Sequence, residues 1–296
     1  MLAAGRDVTF LVRPKRADAL RARGLTITSP TGDLHLKAPP VVLASDLGAP
    51  ADIVLLSCKA YDLDDAIASF APAVGPHTLV LPLLNGLRHL DVLTERFGAG
   101  RVLGGQCVIA TTLAPDGTII HLNTLQSVTF GLRPAGLSEH VRAIETTFRG
   151  CGFDVRLSET IDHEMWEKWV FIAASAGITS LFRAAIGDIV AAEGGLNLVH
   201  RLLDECNAIA AANGYAVRPE ANARTLAMLT AVGSTATASM LRDMEAGGRI
   251  EGDHIIGDLL ARAPDRAAAR VLTAVYTGVK AYEARRARLA SQSARP

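Results

Sequence analysis

Residues 52–59, Asp-Ile-Val-Leu-Leu-Ser-Cys-Lys, decide the fold class, because an apolar run of strand length stops there abruptly at polar residues. Residues 78–83 (Thr-Leu-Val-Leu-Pro-Leu) form a second run of this kind, and residues 7–12 (Asp-Val-Thr-Phe-Leu-Val) form an earlier one. Helical patterns separate these runs. Such alternation is typical of a parallel sheet covered by helices, so the first half of the chain is predicted to be an α/β domain.

Two turn signals add antiparallel strands to this domain. Thr31-Gly-Asp33 lies between the strand-like residues 25–28 and 34–36, and Pro115-Asp-Gly117 precedes the apolar residues 118–121. Glycine beside aspartate favours a tight turn. We expect both hairpins at the far edge of the sheet.

The second half of the chain has a different pattern. From about Ser158, Ala- and Leu-rich segments at helical spacing replace the strand-like runs, and Ser158 followed by Glu159 suits a helix N-terminus. The sequence therefore predicts two domains, an α/β domain over residues 1–158 and an all-helical domain over residues 159–296. In such an arrangement the ligand cleft is expected at the carboxyl ends of the strands.

Composition excludes several functional classes. The 296 residues hold 30 basic and 30 acidic side chains, so no net charge favours nucleic acid. We expect no membrane span and no export signal, since charged residues interrupt every long apolar stretch. The four cysteines lie far apart, which predicts neither a metal site nor disulfides and suggests a reduced, cytoplasmic protein. They are Cys58, Cys107, Cys151 and Cys206.

Three polar residues follow the predicted strands. Arg13 ends the first strand, at a position where dinucleotide-binding folds often carry an acidic residue. An arginine at this position accommodates the 2′-phosphate of NADP. Lys59 follows the second strand and Asn85-Gly86 the third, so an ammonium could meet a phosphate and an amide could face a cofactor ring. Ordinary surface or turn residues remain equally good interpretations of these three positions.

Two residues in the helical half are candidates for chemistry. Lys168 lies within Trp166-Glu-Lys-Trp169, on an amphipathic stretch, and Glu251 follows Gly247-Gly248 at a predicted helix start. The alternative for Lys168 is a side chain whose stem covers apolar surface. The alternative for Glu251 is a carboxylate that stabilises a helix N-terminus.

Taken together and in order, these residues resemble the ketopantoate reductase (2-dehydropantoate 2-reductase) family. The likeness extends over nearly the whole chain. It is carried by AAGRDVTFLVR (3–13), LLSCKAYDLDDAI (55–67), LPLLNGL (81–87), PDGTIIH (115–121), MWEKWVF (165–171), SMLRDMEAGGRIEGDHIIGDLL (239–260) and VYTGVKAYE (275–283).

The resemblance implies a Rossmann-like NADP-binding domain, a helical substrate and dimerisation domain, and reduction of an α-keto acid by NADPH. Arg13 and Lys59 would hold the 2′-phosphate, and Asn85 would face both nicotinamide and substrate. Lys168 matches the proton donor of the family, Ser239 its contact to the substrate carboxylate, and Glu251 the acid that contacts cofactor or substrate. The expected partner is a small keto acid, and a homodimer is compatible with this fold.

The chain departs from the family pattern in two respects. Ile172, Ala176 and Ile186 stand where the family carries substrate-binding asparagines, which favours a more apolar substrate than ketopantoate. The family also opens with a strand and a GxGxxG loop, whereas Met1 falls within the helix expected after that loop; we therefore expect an N-terminal truncation. Two alternatives stay open, a β-hydroxyacid dehydrogenase and a cofactor-free binding or regulatory relic.

Overall fold

The computed structural model of the chain describes residues 1–133 and 138–293. Its strands are β1 (Phe10–Leu11), β2 (Leu25–Thr28), β3 (Leu34–Leu36), β4 (Val41–Val42), β5 (Ile53–Leu56), β6 (Leu79–Pro82), β7 (Gly104–Leu113), β8 (Ile119–Gly131) and β9 (Asp154–Leu157). Its α-helices are α1 (Pro14–Arg23), α2 (Leu63–Phe70), α3 (Arg88–Phe97), α4 (Glu139–Phe148), α5 (Ile161–Phe182), α6 (Ile186–Ala191), α7 (Gly195–Ala212), α8 (Pro219–Leu229), α9 (Ser239–Glu245), α10 (Asp258–Ala261) and α11 (Arg270–Ser293). A π-helical segment, Asp253–Gly257, precedes α10.

The chain forms two compact units. Unit 1 comprises Met1–Cys58, Asp62–Leu84 and Val92–Ile161. Unit 2 comprises Asp162–Pro296 together with two short segments from the first half, Lys59–Tyr61 and Asn85–Asp91. These short segments bring residues that follow β5 and β6 into the helical unit.

Unit 1 is an α/β structure, as the strand runs predict. β1 pairs in parallel with β4, and β5 pairs in parallel with β6. A five-stranded sheet has the order β3-β2-β8-β7, with β9 added in parallel to β8. Both predicted hairpins are confirmed, because β2 and β3 are antiparallel, as are β7 and β8. Gly117 closes the second turn with a φ of +90°, a conformation that favours glycine.

The predicted strands are longer and more buried than the observed ones. β1 and β5 are both half-buried, and Leu55 is 38% exposed, whereas every residue of β6 is buried. Among the described strands, β1, β5 and β6 each belong to a two-stranded sheet, and β6 is nevertheless buried, with a bridge from Val80 to Val102 beside it. Apolar runs in the sequence indicate strand propensity but do not report what packs against a strand.

The core of unit 1 lies between the sheet and α4. Leu103, just before β7, and Phe130 in β8 have no exposed surface, and Val141 and Phe148 pack against them from the helix. Ser138 begins α4 by accepting a hydrogen bond from the Val141 main-chain N–H (3.3 Å). The helix therefore starts with one of its unpaired donors satisfied and its apolar face turned to the sheet.

Unit 2 is helical, as predicted. α7 packs against α6, α8, α10 and α11, and its buried face includes Leu202, Leu203 and Cys206. Burial raises the pKa of the Cys206 thiol well above its usual range, so this cysteine is an inert core residue. None of the described helices combines the length and the apolar character that crossing a membrane requires.

The segment before α5 begins the helical half close to the expected residue. Ser158 accepts a hydrogen bond from the Thr160 main-chain N–H (3.1 Å), and the helix itself starts at Ile161. The division into domains at residues 158 and 159 remains a prediction. Near the end of α11, Arg286 donates to the Gly247 carbonyl oxygen (2.9 Å), so this part of the helix is anchored.

Substituting Leu103 tests the core of unit 1. Leu103→Ala should lower the free energy of unfolding by about 2–5 kcal/mol, because the removed methyl groups leave a cavity in a packed interior. The matched control is Leu113→Ala in β7, where the side chain is 62% exposed; its effect should stay within about 0.5 kcal/mol. Urea titrations of both variants measure the difference, and equal losses would contradict the assigned core.

Candidate active site

A buried carboxylate anchors the candidate site in unit 2. Glu251 is 8% exposed, and its Oε1 accepts a hydrogen bond from the Ala60 main-chain N–H (2.9 Å). Its Oε2 lies 3.3 Å from the Lys59 ammonium, which also binds Asp243 at 3.0 Å. Burial alone would lower the pKa of Lys59, but the two carboxylates raise it. Lys59 is therefore held as a cation between two acids.

The segment after β6 is fixed by two histidines. Gly86 has a φ of +77°, and a side chain built there would meet the His254 ring at 2.9 Å and its carbonyl oxygen at 3.0 Å. Only glycine suits both the conformation and the space. The Nε2 of the His254 imidazole lies 3.3 Å from Nδ1 of His89. The turn that follows Asn85 is therefore packed against the His254 ring.

Helix α5 carries Lys168 between two buried tryptophans. Trp169 donates its indole N–H to the Ile255 carbonyl oxygen (2.9 Å), within the π-helical segment. Trp166 stacks on Tyr215 with ring centroids 5.3 Å apart. Lys168 itself is half-buried. The indole bond ties the helix of Lys168 to the segment that follows Glu251.

The residue before Lys168 fixes the helix on its other side. Glu167 is 9% exposed and accepts two hydrogen bonds from the Arg218 guanidinium, at 2.7 and 2.6 Å, and a third from the Arg218 main-chain N–H at 3.0 Å. Burial alone would raise the pKa of Glu167, but the bonds from Arg218 lower it. This ion pair ties α5 to the start of α8.

Arg262 adds a third connection to the segment that begins at Asn85. Its guanidinium lies over the rings of Trp166 and Trp169, with centroid distances of 5.9 and 5.5 Å. It also binds Asp91 at 2.6 Å and Asp258 at 3.2 Å. The last residue of the segment Asn85–Asp91 is thereby joined to α10 and to the tryptophan pair.

Ser239 is the first residue of α9, and its side chain is exposed. One turn later on the same helix, Asp243 binds Lys59. Lys59, Asn85, Lys168, Ser239 and Glu251 therefore all lie in unit 2, on elements joined by the bonds described above. Their assignment as site residues remains a prediction.

Arg13 lies in unit 1, at the N-terminal boundary of α1. Its side chain is 68% exposed and is 3.5 Å from Asp62 and 3.8 Å from Asp65. Asp65 is itself 83% exposed. Such long, solvated pairs contribute little stability, so the guanidinium can exchange them for another anion.

An open cavity of about 340 Å³ lies beside Glu251, entirely within unit 2. The Arg249 guanidinium covers the Tyr61 ring at 4.1 Å on one side, and Tyr282 donates to the Gly248 carbonyl oxygen on another. A volume of this size is within the range of small-molecule sites. Its wall includes Tyr61, Arg249, Glu251, His254, Tyr282 and Arg286.

The residues that replace the expected asparagines are mostly enclosed. Ala176 is 1% exposed and Ile186 is 3% exposed, whereas Ile172 is half-buried. Ser175, on the same helix as Ile172, donates its hydroxyl to the Ile172 carbonyl oxygen (3.2 Å). Apolar packing therefore replaces amide groups along this part of α5 and α6.

Comparison with known proteins places the chain in a family. Residues 1–135 match the family model described as Ketopantoate reductase PanE/ApbA, and residues 160–283 match the model of its C-terminal part. The uncharacterized oxidoreductase YkpB of Bacillus subtilis is 37% identical over 95% of this chain and 92% of its own length. The chain belongs to the ketopantoate reductase family.

Other members support this assignment. The 2-dehydropantoate 2-reductase of Pyrococcus horikoshii is 28% identical, over 88% of this chain and 83% of its own. The crystal structure of 2-dehydropantoate 2-reductase from Geobacter metallireducens matches with a TM-score of 0.85 and 25% identity, covering 94% of this chain and 93% of that one. The resemblance inferred from seven sequence segments is confirmed. A ketopantoate reductase is an oxidoreductase, and the family implies a nicotinamide cofactor.

Sequence reasoning missed several residues around the predicted ones. Asp243, His89 and His254 were not singled out, and Trp169 was noted only as a neighbour of Lys168. Their partners lie 86 to 184 residues away along the chain, beyond the reach of local patterns. The one available signal was an acidic residue, Asp243, one helical turn after Ser239.

Replacing Glu167 tests the anchor of the Lys168 helix. Glu167→Gln should destabilise the protein at pH 7 by about 1–3 kcal/mol, because the Arg218 bonds lose their charge. The low pKa of Glu167 means that the ion pair stabilises the fold above about pH 4 and that this contribution is lost as the pH falls through the folded-state value. The difference in thermal midpoint between wild type and Glu167→Gln should therefore become smaller below about pH 4.

Thermal midpoints recorded from pH 7 to pH 3 measure this gap, with the exposed Glu193→Gln as control. A gap that is constant across the range would contradict the ion-pair account.

Proposed function

We propose that the chain catalyses reduction of an α-keto acid to the α-hydroxy acid with NADPH, as a 2-dehydropantoate 2-reductase-like enzyme. The proposal rests on the bonds within unit 2. They connect the helices and segments that carry five predicted site residues, namely Lys59, Asn85, Lys168, Ser239 and Glu251. A buried carboxylate next to a lysine, beside a cavity of about 340 Å³, is typical of a ligand site rather than of a packed core.

The side chains present suit a phosphorylated nicotinamide cofactor. Two cations, Arg13 and Lys59, are available for phosphate, and Glu251 and Asn85 supply an acid and an amide. Both cations are paired with carboxylates, so a phosphate would bind by exchange. When bound, the cofactor supplies the hydride. The planar guanidinium of Arg13 can donate two parallel hydrogen bonds to a 2′-phosphate. This supports a preference for NADPH over NADH.

The chemistry assigned to Lys168 follows from the charge that the reaction creates. Hydride addition to the keto carbon leaves negative charge on the carbonyl oxygen, and the oxygen must gain a proton. An ammonium stabilises that charge and donates the proton. Glu167 and Trp169 fix the helix on either side of Lys168, so the backbone that carries the ammonium is held before substrate arrives.

The substrate acid group is assigned to Ser239, and the amide of Asn85 to the keto oxygen and the nicotinamide. Ser239 is exposed at the first residue of α9, and its hydroxyl is available to bind a carboxylate. We propose a less polar keto acid than ketopantoate, since Ile172, Ala176 and Ile186 leave a hydroxylated substrate without amide partners.

Lys168→Met tests the proton donor while keeping an apolar stem. Turnover should fall by at least about a hundredfold, because the ammonium acts as the alkoxide forms, while NADPH affinity should change little. Lys37→Met, at an exposed site, is the control. A panel of α-keto acids that includes ketopantoate and less polar analogues, followed by NADPH absorbance, measures the effect. Undiminished turnover on the best substrate would reject the role.

Arg13→Ala tests cofactor choice. The parent should prefer NADPH over NADH by roughly tenfold, about 1.4 kcal/mol, since an exposed guanidinium gains less from a phosphate than a buried one. The variant should lose that preference. Asp62→Asn should increase it, because a carboxylate beside the phosphate is removed. Affinities from protein fluorescence titrations with each cofactor measure both shifts, and unchanged discrimination in Arg13→Ala would place the phosphate elsewhere.

A further inference from the structure

We propose that unit 1 carries a binding site for a phosphoryl group, between helix α1 and the turn that joins β7 to β8. The site is an open cavity of about 140 Å³, and its wall includes Arg16, Ala19 and Arg23 from the helix and residues 116–118 from the turn. This volume is below the range of about 300–1,000 Å³ that drug-sized ligands occupy. The occupant is therefore a small group. Among the described residues of this wall, none is assigned to the cofactor or the keto acid.

The guanidinium groups of Arg16 and Arg23 converge on this cavity. The two residues are seven positions apart on α1, which places them on one face of the helix but two turns from each other. Nη1 of Arg16 lies 3.2 Å, and Nη2 of Arg23 lies 3.8 Å, from the point that a Cβ atom would occupy at Gly117. Both side chains therefore bend towards the same place above the turn.

These two positive charges have no close carboxylate partner. Within the described part of the chain, neither guanidinium forms a hydrogen bond or a salt bridge, although Arg16 is half-buried. The carboxylate in the wall is Asp116, whose Oδ1 accepts from the Thr118 main-chain N–H (2.9 Å) and whose Oδ2 accepts from the Thr118 hydroxyl (3.0 Å). These bonds, with a smaller contribution from Arg23, lower the pKa of Asp116. Two cations thus face one acid that its own turn already engages.

The other arginines on this helix differ from the pair. Arg21, on another face of α1, lies 3.8 Å from Asp18, and Arg13 at the helix boundary lies near Asp62 and Asp65. The helix itself holds four basic residues and a single acid. The excess positive charge is therefore concentrated at the cavity.

Two small residues keep the cavity open. Ala19 lies between Arg16 and Arg23 on the same face of α1 and fills little of the space. Gly117 has a φ of +90°, and a side chain there would come within 3.2 Å of the Arg16 guanidinium. A larger residue at either position would occupy the place where the two guanidinium groups meet.

The charge and shape of this site suit a tetrahedral dianion. A guanidinium donates parallel hydrogen bonds to two oxygens of a phosphate, and two guanidinium groups match both its charge and its several acceptor oxygens. A carboxylate offers a single charge and would leave one arginine without a partner. A bound phosphoryl group would also connect α1 to the β7–β8 turn, so binding should raise thermal stability.

The first experiment titrates the full chain with inorganic phosphate, followed by ³¹P NMR at constant pH and ionic strength and without NADPH. Wild type should show saturable binding. Arg16→Gln and Arg23→Gln should each weaken it at least about tenfold, because each removes a charge-assisted pair of hydrogen bonds. Arg21→Gln is the matched control on the same helix and should bind like wild type. Absence of saturable binding to wild type, or an equal loss in Arg21→Gln, would overturn the proposal.

Two further variants locate the bound ion. Ala19→Leu keeps every charge but fills the cavity, so it should weaken phosphate binding as strongly as the arginine variants. Arg13→Ala should leave this binding unchanged. Unchanged affinity in Ala19→Leu, or a loss confined to Arg13→Ala, would place the ion outside the cavity and overturn the proposal.

Thermal midpoints provide a control for folding. Without phosphate they should change little in the three variants Arg16→Gln, Arg23→Gln and Arg21→Gln, because substitutions at such surface positions have small effects. With phosphate the midpoint should rise in wild type and Arg21→Gln but not in Arg16→Gln or Arg23→Gln. An equal rise in all four proteins would reflect a general salt effect and would contradict the site.

The same titration with glycerol 3-phosphate, a phosphate monoester, distinguishes the two sources of a phosphoryl group. Tighter binding of the monoester would identify an organic phosphate as the ligand, and tighter binding of inorganic phosphate would identify the free ion. In both cases Arg16→Gln and Arg23→Gln should weaken binding. Since neither NADPH nor a keto acid is present, the result is independent of the proposed reductase activity.

Discussion

Unit 2 is organised around one buried carboxylate, Glu251, whose charge needs nearby partners. Glu251 is almost fully enclosed, and an unpaired charge in that position would be very unfavourable. Its partners, the Lys59 ammonium and the Ala60 N–H, come from a three-residue segment that lies about 190 positions earlier in the chain. The segment that follows β5 is therefore bound to the helical unit by an electrostatic requirement, and Asp243 completes the balance on Lys59.

The helix that follows Glu251 is irregular, with a π-helical segment at Asp253–Gly257. π-helical turns are rare and occur mostly at functional sites, because they release main-chain groups from the regular pattern. Here the Ile255 carbonyl oxygen accepts a hydrogen bond from the Trp169 indole, and the His254 ring packs against Gly86 and lies 3.3 Å from His89. A regular α-helix would direct these two groups differently. The local departure from regular geometry is thus stabilised by a bond from α5 and by contacts with the segment after β6.

The sequence predicts the elements better than their contacts. Both hairpins, the α/β character of unit 1 and the helical character of unit 2 could be predicted, because turn residues and apolar periodicity are local. The predicted strand ends were wrong, and β1 and β5 are less buried than β6, because burial depends on what packs against a strand and not on its own sequence. At the site, Lys59 and Glu251 could be named from family-like motifs, but their pairing, and that of His89 with His254, depends on packing between distant segments.

Arg13 and Lys59, the two residues proposed to bind the cofactor phosphate, have different ion-pair partners. Lys59 is bound to a carboxylate that is enclosed and to another that is 34% exposed, whereas Arg13 has only solvated partners. Exchange of a partner for phosphate is easy at Arg13 and difficult at Lys59, since freeing Lys59 would leave Glu251 buried without its cation. The two residues are therefore unequal: the partners of Arg13 are solvated and exchange easily, whereas the ammonium of Lys59 is held by both Glu251 and Asp243.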